Sequence, residues 1–191
     1  DVEIIDGSEE NRLTLSAVMD SLRGESDIGK AKSILVEVGG GSTDIAIVND
    51  GELQQSSTLP LGSIRLRAGM GAGPAKPEQQ ARLLKRQIAS FLSSLKREME
   101  IRDAVYCIAL GGDVRLAASI LNIAGQDSRL AALPKDALSD FVDSASKLNT
   151  DALVQKYSIP YLDAETLVPA LLTWLEARGI ALRIDEVTAA Y

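Results

Sequence analysis

With 191 residues, 46% hydrophobic and 25% charged, the chain has material for one ordinary globular domain with at most a small appendage. Its net charge of −7 argues against general binding to nucleic acid or to an anionic membrane surface, and no apolar run approaches the ~18 residues of a membrane span. The absence of histidine leaves general-base chemistry to carboxylates and excludes histidine metal sites, while a single cysteine, Cys107, excludes an internal disulfide and suits a reducing cytoplasm.

No charged-then-apolar leader follows Asp1, so no signal peptide is expected, and a start without Met suggests an excised domain. Residues 8–22 are expected to be helical. Leu13, Ala17 and Leu22 mark one side, and Leu15, Val18 and Met19 widen the apolar face. With Asp6 as N-cap, Glu9 falls at the third helical position and completes a capping box; Ser8 is the other capping residue. A polar loop at 23–27 leads to strands at 33–38, 44–49 and 52–58, and Asp50-Gly51 signals a hairpin between the last two. Residues 59–66 leave the third strand, and a glycine-rich connector covers 69–77.

Pro77 begins a long helix to 102 whose buried stripe is Leu84, Ile88, Phe91, Leu95 and Met99. A fourth strand spans 104–110 and holds Cys107, which fits a packed core thiol. Gly111-Gly112-Asp113 turns into a short helix at 114–122. Helices follow at 134–146, 150–156 and 163–178, with Pro134 in a first turn and Pro169 expected to kink or restart the last of them. Residues 180–184 are expected to close the sheet as a fifth strand. The order predicts one α/β domain over 1–191, a mixed five-stranded sheet of the ribonuclease-H-like kind flanked by helices.

The segment from Ile34 to Gly51 carries the most chemistry. An apolar run ends in Glu37, then come Gly39, Gly40, Gly41, Ser42 and Thr43, and Asp44 opens a second apolar run. Adjacent glycines let main-chain N–H groups converge on an anion with no Cβ in the way, and an acid beside such a turn can hold a metal ion or its waters. The segment therefore points to a phosphate and metal site. A dinucleotide fingerprint would lead into a helix, and a Walker loop would need a lysine that is absent between Lys32 and Lys76. The strand–turn–strand order instead resembles the second phosphate loop of the actin, sugar-kinase and heat-shock chaperone superfamily. The alternative is a glycine turn with no ligand.

Four further segments narrow the resemblance. Gly7-Ser8-Glu9-Glu10-Asn11-Arg12-Leu13 resembles the Ser-Gly-x-Glu-Glu-Ala-Arg-Leu signature of the exopolyphosphatase and guanosine pentaphosphate phosphohydrolase family, and the interval from Glu10 to Glu37 matches that family's spacing to its glycine loop. Leu59-Pro60-Leu61-Gly62-Ser63-Ile64-Arg65-Leu66 is similar to its Leu-Pro-x-Gly-x-Val-Arg-Leu run. Leu110-Gly111-Gly112-Asp113-Val114-Arg115 resembles the superfamily's Gly-Gly-x-x-Arg turn, and Asp163 to Ala170 resembles the family's Pro-Gly or Pro-Ala segment at the start of a core helix.

The resemblance implies the second, C-terminal half of a two-domain, actin-like hydrolase of phosphoric anhydrides, preceded by a first domain with its own phosphate loop. It implies Glu10 as general base, Glu37 in place of a Mg²⁺-binding aspartate, and Gly39, Gly40, Gly41, Ser42 and Thr43 as phosphate donors. Arg12, Asp44, Gly111 and Gly112 would lie near the ligand. Glu37 is one methylene longer than the family aspartate, and an ion pair with Arg12 is its structural alternative. Asp113 would repel phosphate; it receives ribose hydroxyls or caps the helix that follows. Arg82, Lys85 and Arg86 offer a basic track for a long anion or only a solvated helix face.

The activity implied is removal of a terminal phosphoryl group from polyphosphate or guanosine pentaphosphate in the cytoplasm, with Mg²⁺, by the parent protein; the 191-residue piece alone is expected to be nearly inactive. Partners implied are the substrate and the preceding domain, with a homodimer left open and no nucleic acid or membrane. The alternatives are an inactive relative that binds a phosphorylated nucleotide or acts as an interaction module, and a kinase-like or chaperone-like ATPase, which Glu9-Glu10-Asn11-Arg12 argues against.

Overall fold

The computed structural model describes residues 7–22, 30–70, 76–101, 103–123, 130–179 and 186–190, with the backbone alone for several helix and strand residues, Glu10 among them. Six strands form one mixed sheet in the order β3-β2-β1-β4-β6-β5, one strand more than the sequence predicts. β1 (Ser33–Val38), β2 (Thr43–Asn49) and β3 (Glu52–Leu59) make an antiparallel meander. Its second turn places Asp50 at φ 52° and Gly51 at φ 76°, the twist that Asp-Gly hairpins favour. β4 (Tyr106–Leu110) lies parallel to β1, and β6 (Glu186–Ala190) lies parallel to β4.

The unexpected strand is β5 (Leu130–Pro134), antiparallel to β6 at the sheet edge. Leu-Ala-Ala-Leu-Pro has no β-branched residue, so its composition does not announce a strand; its pairing with β6 does. An edge also tolerates Pro134, which ends the strand and precedes α5 (Lys135–Ala145) instead of lying inside that helix. The strand expected at 180–184 falls outside the described residues. β6 begins at Glu186 and runs inside the sheet.

One face of the sheet, built from Ile34, Val36, Val38, Ile45, Ile47, Cys107 and Ala109, belongs to the main core. Against it stand α3 (Pro77–Glu98) and α7 (Tyr161–Arg178). α7 is buried along most of its length, with Leu167, Ala170, Leu171, Trp174 and Ala177 all 1% exposed or less, while Tyr161 and Leu162 at its start are exposed. It runs through Pro169 without restarting, and the Thr173 hydroxyl donates to the Pro169 carbonyl at 3.0 Å. α3 buries Ala81, Leu84, Ile88, Leu92 and Leu95; Phe91, expected in that stripe, falls at its margin and is 39% exposed. The helix stops at Glu98, since Met99 is extended.

The opposite face is thinner. Leu35, Val48 and Ile108 pack with Val18 of α1 (Gly7–Leu22), while Leu13, expected on the apolar side, is 46% exposed. Among the described residues no helix is long and apolar enough to cross a membrane.

Cys107 is fully buried, and loss of solvation pushes its thiol up to about 12. In native protein at pH 8 it should resist an aromatic disulfide reagent and react fully once denaturant is added. Prompt labelling of the native state would contradict this packing.

Candidate functional site

β1 and β4 run parallel with Glu37 beside Leu110, so both end at the same sheet edge. The turns that leave them, Gly39–Ser42 and Gly111–Gly112, are therefore neighbours. Gly111 has φ 129° and ψ 161°, open only to glycine, and a Cβ there would lie 3.2 Å from the Val38 carbonyl oxygen. The carboxyl ends of parallel strands are where open α/β sheets bind their ligands.

The glycine turn is organised by the helix that follows β3. The backbone N–H groups at the start of α2 (Ser63–Gly69) donate into the turn: Ser63 to Gly39 O at 2.9 Å, and Ile64 and Arg65 to Gly40 O at 3.0 and 3.1 Å. Arg65 Nε donates to Gly41 O at 2.9 Å. A trans peptide is planar, so each N–H points opposite to the preceding C=O. Carbonyls 39, 40 and 41 are all tied to α2, which turns the N–H groups of Gly40, Gly41 and Ser42 to the other side. Among the described residues these amides meet no protein acceptor. Successive main-chain donors on one side form an anion-binding concavity.

The contact requires Gly62. A Cβ on this buried residue would lie 2.3 Å from the Gly41 carbonyl carbon and 2.4 Å from the Gly40 carbonyl carbon and oxygen. Thr43 departs from the expected donor set. Its hydroxyl is fully buried and donates to Leu61 O at 3.0 Å, so the side chain fastens the turn to the segment before α2. The Ser42 hydroxyl makes no hydrogen bond within the described residues and is available as a donor.

The acids lie on the α1 side of the sheet. Glu37 and Asp44 are directly opposite across β1 and β2, and the Thr58 hydroxyl from β3 donates to Asp44 Oδ1. Two like charges at opposed positions destabilise a sheet unless a cation or a proton relieves them. Two hard carboxylates beside a row of outward-facing amides are a donor set of the kind Mg²⁺ takes, since that ion characteristically binds one or two carboxylates with phosphate oxygens and water. Among the described residues no group of three or more acidic or thiol ligands could hold a metal alone. Glu10 lies in the first turn of α1, on the helix that covers this face, and its side chain is outside the described residues.

Arg12 is not drawn to Glu37. It forms an exposed two-pronged pair with Glu9, at 2.8 and 2.7 Å, which lowers the Glu9 pKa and raises that of Arg12. The capping partner expected for Glu9, Asp6, lies outside the described residues. In the basic cluster, Lys85 pairs with Glu176 at 3.4 Å, which favours the solvated helix face.

Asp113 is not a cap. It sits inside the first turn of α4 (Gly112–Ile120), whose N-cap position is Gly111, and accepts from the Thr166 hydroxyl of α7 at 3.0 Å. Burial raises its pKa, the Thr166 bond opposes this, and nearby Asp163 adds to the rise. A separate cavity of about 480 Å³ opens at the far end of α2, between Arg67, Met70, Gln80, Asn149 and Val168; none of the expected site residues lines it. Gly62, Arg65 and Thr58 carry the site's internal bonding without having been assigned a role from sequence. The Leu59–Leu66 run was the available signal.

The chain matches the Ppx/GppA phosphatase family over residues 1–183. It belongs to that family. The fold agrees with solved structures: a Ppx/GppA family member from Aquifex aeolicus is 19% identical with a TM-score of 0.81, covering 99% of this chain and 60% of that one. An exopolyphosphatase from Cytophaga hutchinsonii is 18% identical with a TM-score of 0.84, covering 100% and 61%. An exopolyphosphatase-like protein is 18% identical with a TM-score of 0.76, covering 98% and 64%. These likenesses place the sheet in the ribonuclease-H-like, actin-like class, and the chain spans about three fifths of the length of the first two structures. Comparison with curated proteins gave no match.

Two substitutions probe this architecture. Gly62→Ala should force α2 off the turn, lowering stability by about 1–3 kcal/mol in denaturant unfolding, the usual cost of overpacking. Wild-type stability in that variant would show that the close approach is dispensable. Asp113 has a raised folded-state pKa, so its charged form costs stability near neutrality; that cost fades as pH falls through the raised value and is gone below the ordinary carboxylate range. Asp113→Asn, which can still accept from Thr166, should melt above wild type at pH 7, with the gap closing in acid. A gap that widens on acidification would contradict the sign.

Proposed function

We propose that the whole protein hydrolyses the terminal phosphoanhydride of polyphosphate or guanosine pentaphosphate in the cytoplasm, with Mg²⁺. The observation that carries this is the set of three main-chain amides, Gly40, Gly41 and Ser42, turned to one side at the sheet edge, with Glu37 and Asp44 opposed beside them. Family membership supports a phosphatase in general.

The terminal phosphoryl group would lie on the amides, with the Ser42 hydroxyl as a further donor. Charge on its oxygens grows toward the transition state, and donors already oriented toward it incur no reorganisation. Glu10 would take the proton of the attacking water, a role open to a carboxylate whose pKa is raised by neighbouring phosphate charge. Glu37, with Asp44 beside it, would hold Mg²⁺, which when bound neutralises charge on the phosphoryl oxygens. Thr58 would hold the Asp44 carboxylate in place through its hydroxyl. A preceding domain would supply the opposing wall of the cleft, so this chain alone would turn over little substrate.

The test is phosphate release by the whole protein. With Mg²⁺ it should liberate phosphate from one of the two substrates, a chelator should abolish release, and Glu10→Gln should lower kcat by about 10²–10⁴. No release from either substrate, or an undiminished Glu10→Gln rate, would refute the mechanism.

A further inference from the structure

The three peptides of the glycine turn are not held alike. The carbonyls of Gly39 and Gly40 accept main-chain N–H groups from the first turn of α2, which are fixed by the helix itself. Among the described residues the Gly41 carbonyl accepts only from a side chain, Arg65 Nε at 2.9 Å. Gly41 is exposed, and a Cβ on it would meet nothing within 4 Å, so packing does not pin this peptide. A glycine flanked by open space can rotate its peptide at little steric cost.

We propose that Arg65 is a positioning residue of the phosphate loop. Its Nε–H holds the Gly41 carbonyl toward α2, and the planar trans peptide then turns the Ser42 N–H outward to complete the amide set. The proposal rests on the phosphate-binding role of the loop. The other guanidinium nitrogens make no hydrogen bond within the described residues, so Arg65 also places a positive charge at the rim. Charge attracts an anion from any direction, whereas the Nε bond decides which way one amide faces.

Side-chain chemistry separates the two roles. Glutamine carries its amide nitrogen the same number of bonds from the backbone as arginine carries Nε. Arg65→Gln therefore keeps the donor and loses the charge, Arg65→Met loses both, and Arg65→Lys keeps the charge without a donor at that position. Isotope-labelled chain (20.3 kDa) would be titrated with tripolyphosphate while the amide resonances of Gly40, Gly41 and Ser42 are followed.

In wild type all three should shift on binding. In Arg65→Met the dissociation constant should rise about tenfold, the scale of one hydrogen bond, and the Ser42 amide should stop responding while Gly40 and Gly41 still do. Arg65→Gln should keep the Ser42 response. Equal loss in Gln and Met with all three amides responding would make Arg65 a charge alone and overturn the proposal, as would wild-type binding by Met. Absence of shifts in wild type would refute the phosphate role itself, and this proposal with it. Arg65 is exposed, so spectra without ligand serve as the folding control; should the Met protein unfold, the contrast of Gln with Lys makes the same decision.

Discussion

The site depends on one contact: the amino end of α2 driven into the carbonyl side of the glycine turn. Three carbonyls, at residues 39, 40 and 41, are drawn to one side by backbone and arginine donors. Peptide planarity transmits that orientation to the amides on the reverse side. A helix N-terminus commonly binds an anion directly. Here α2 instead orients a second layer of dipoles, and only glycine at 62 lets the two backbones come close enough.

α7 makes that arrangement rigid. Buried against the core along most of its length, it holds both turns of the site through polar contacts near its exposed start. Arg67 of α2 pairs with Glu165 at 3.0 Å, and Asp113 of α4 accepts from Thr166 one residue later. The Arg67–Glu165 pair is partly exposed and contributes modestly to stability; its geometric effect is to register α2 against α7. Asp113 is held by Thr166 in the same step; burial biases this acid toward its neutral form, and the Thr166 bond works against that bias.

The acidic side of the site has the opposite character. Glu37 and Asp44 face one another across a strand pair, which brings two carboxylates to one spot on the α1 face. Thr58 occupies the next strand in the same row, so the α1 face carries a line of oxygen atoms across β1, β2 and β3. The thin packing around Val18 leaves that row at the margin of the core instead of inside it.

Local rules sufficed for much of this. The Asp50-Gly51 hairpin, the Pro77 helix start, the four-residue steps of α3 and the acid–glycine–acid order of the loop each follow from covalent geometry and period, and they identified the fold class and the loop. The tertiary structure alone decided the rest. β5 exists because β6 offers it an edge; Thr43 turned inward because Leu61 O stands above it; Arg12 chose Glu9, three residues away on its own helix; and Asp113 met Thr166, 53 residues on in the chain. The direction of the loop amides belongs to this second group. A glycine run permits many peptide orientations, and the selection comes from donors contributed by residues 24 positions later, a distance over which no local periodicity carries information.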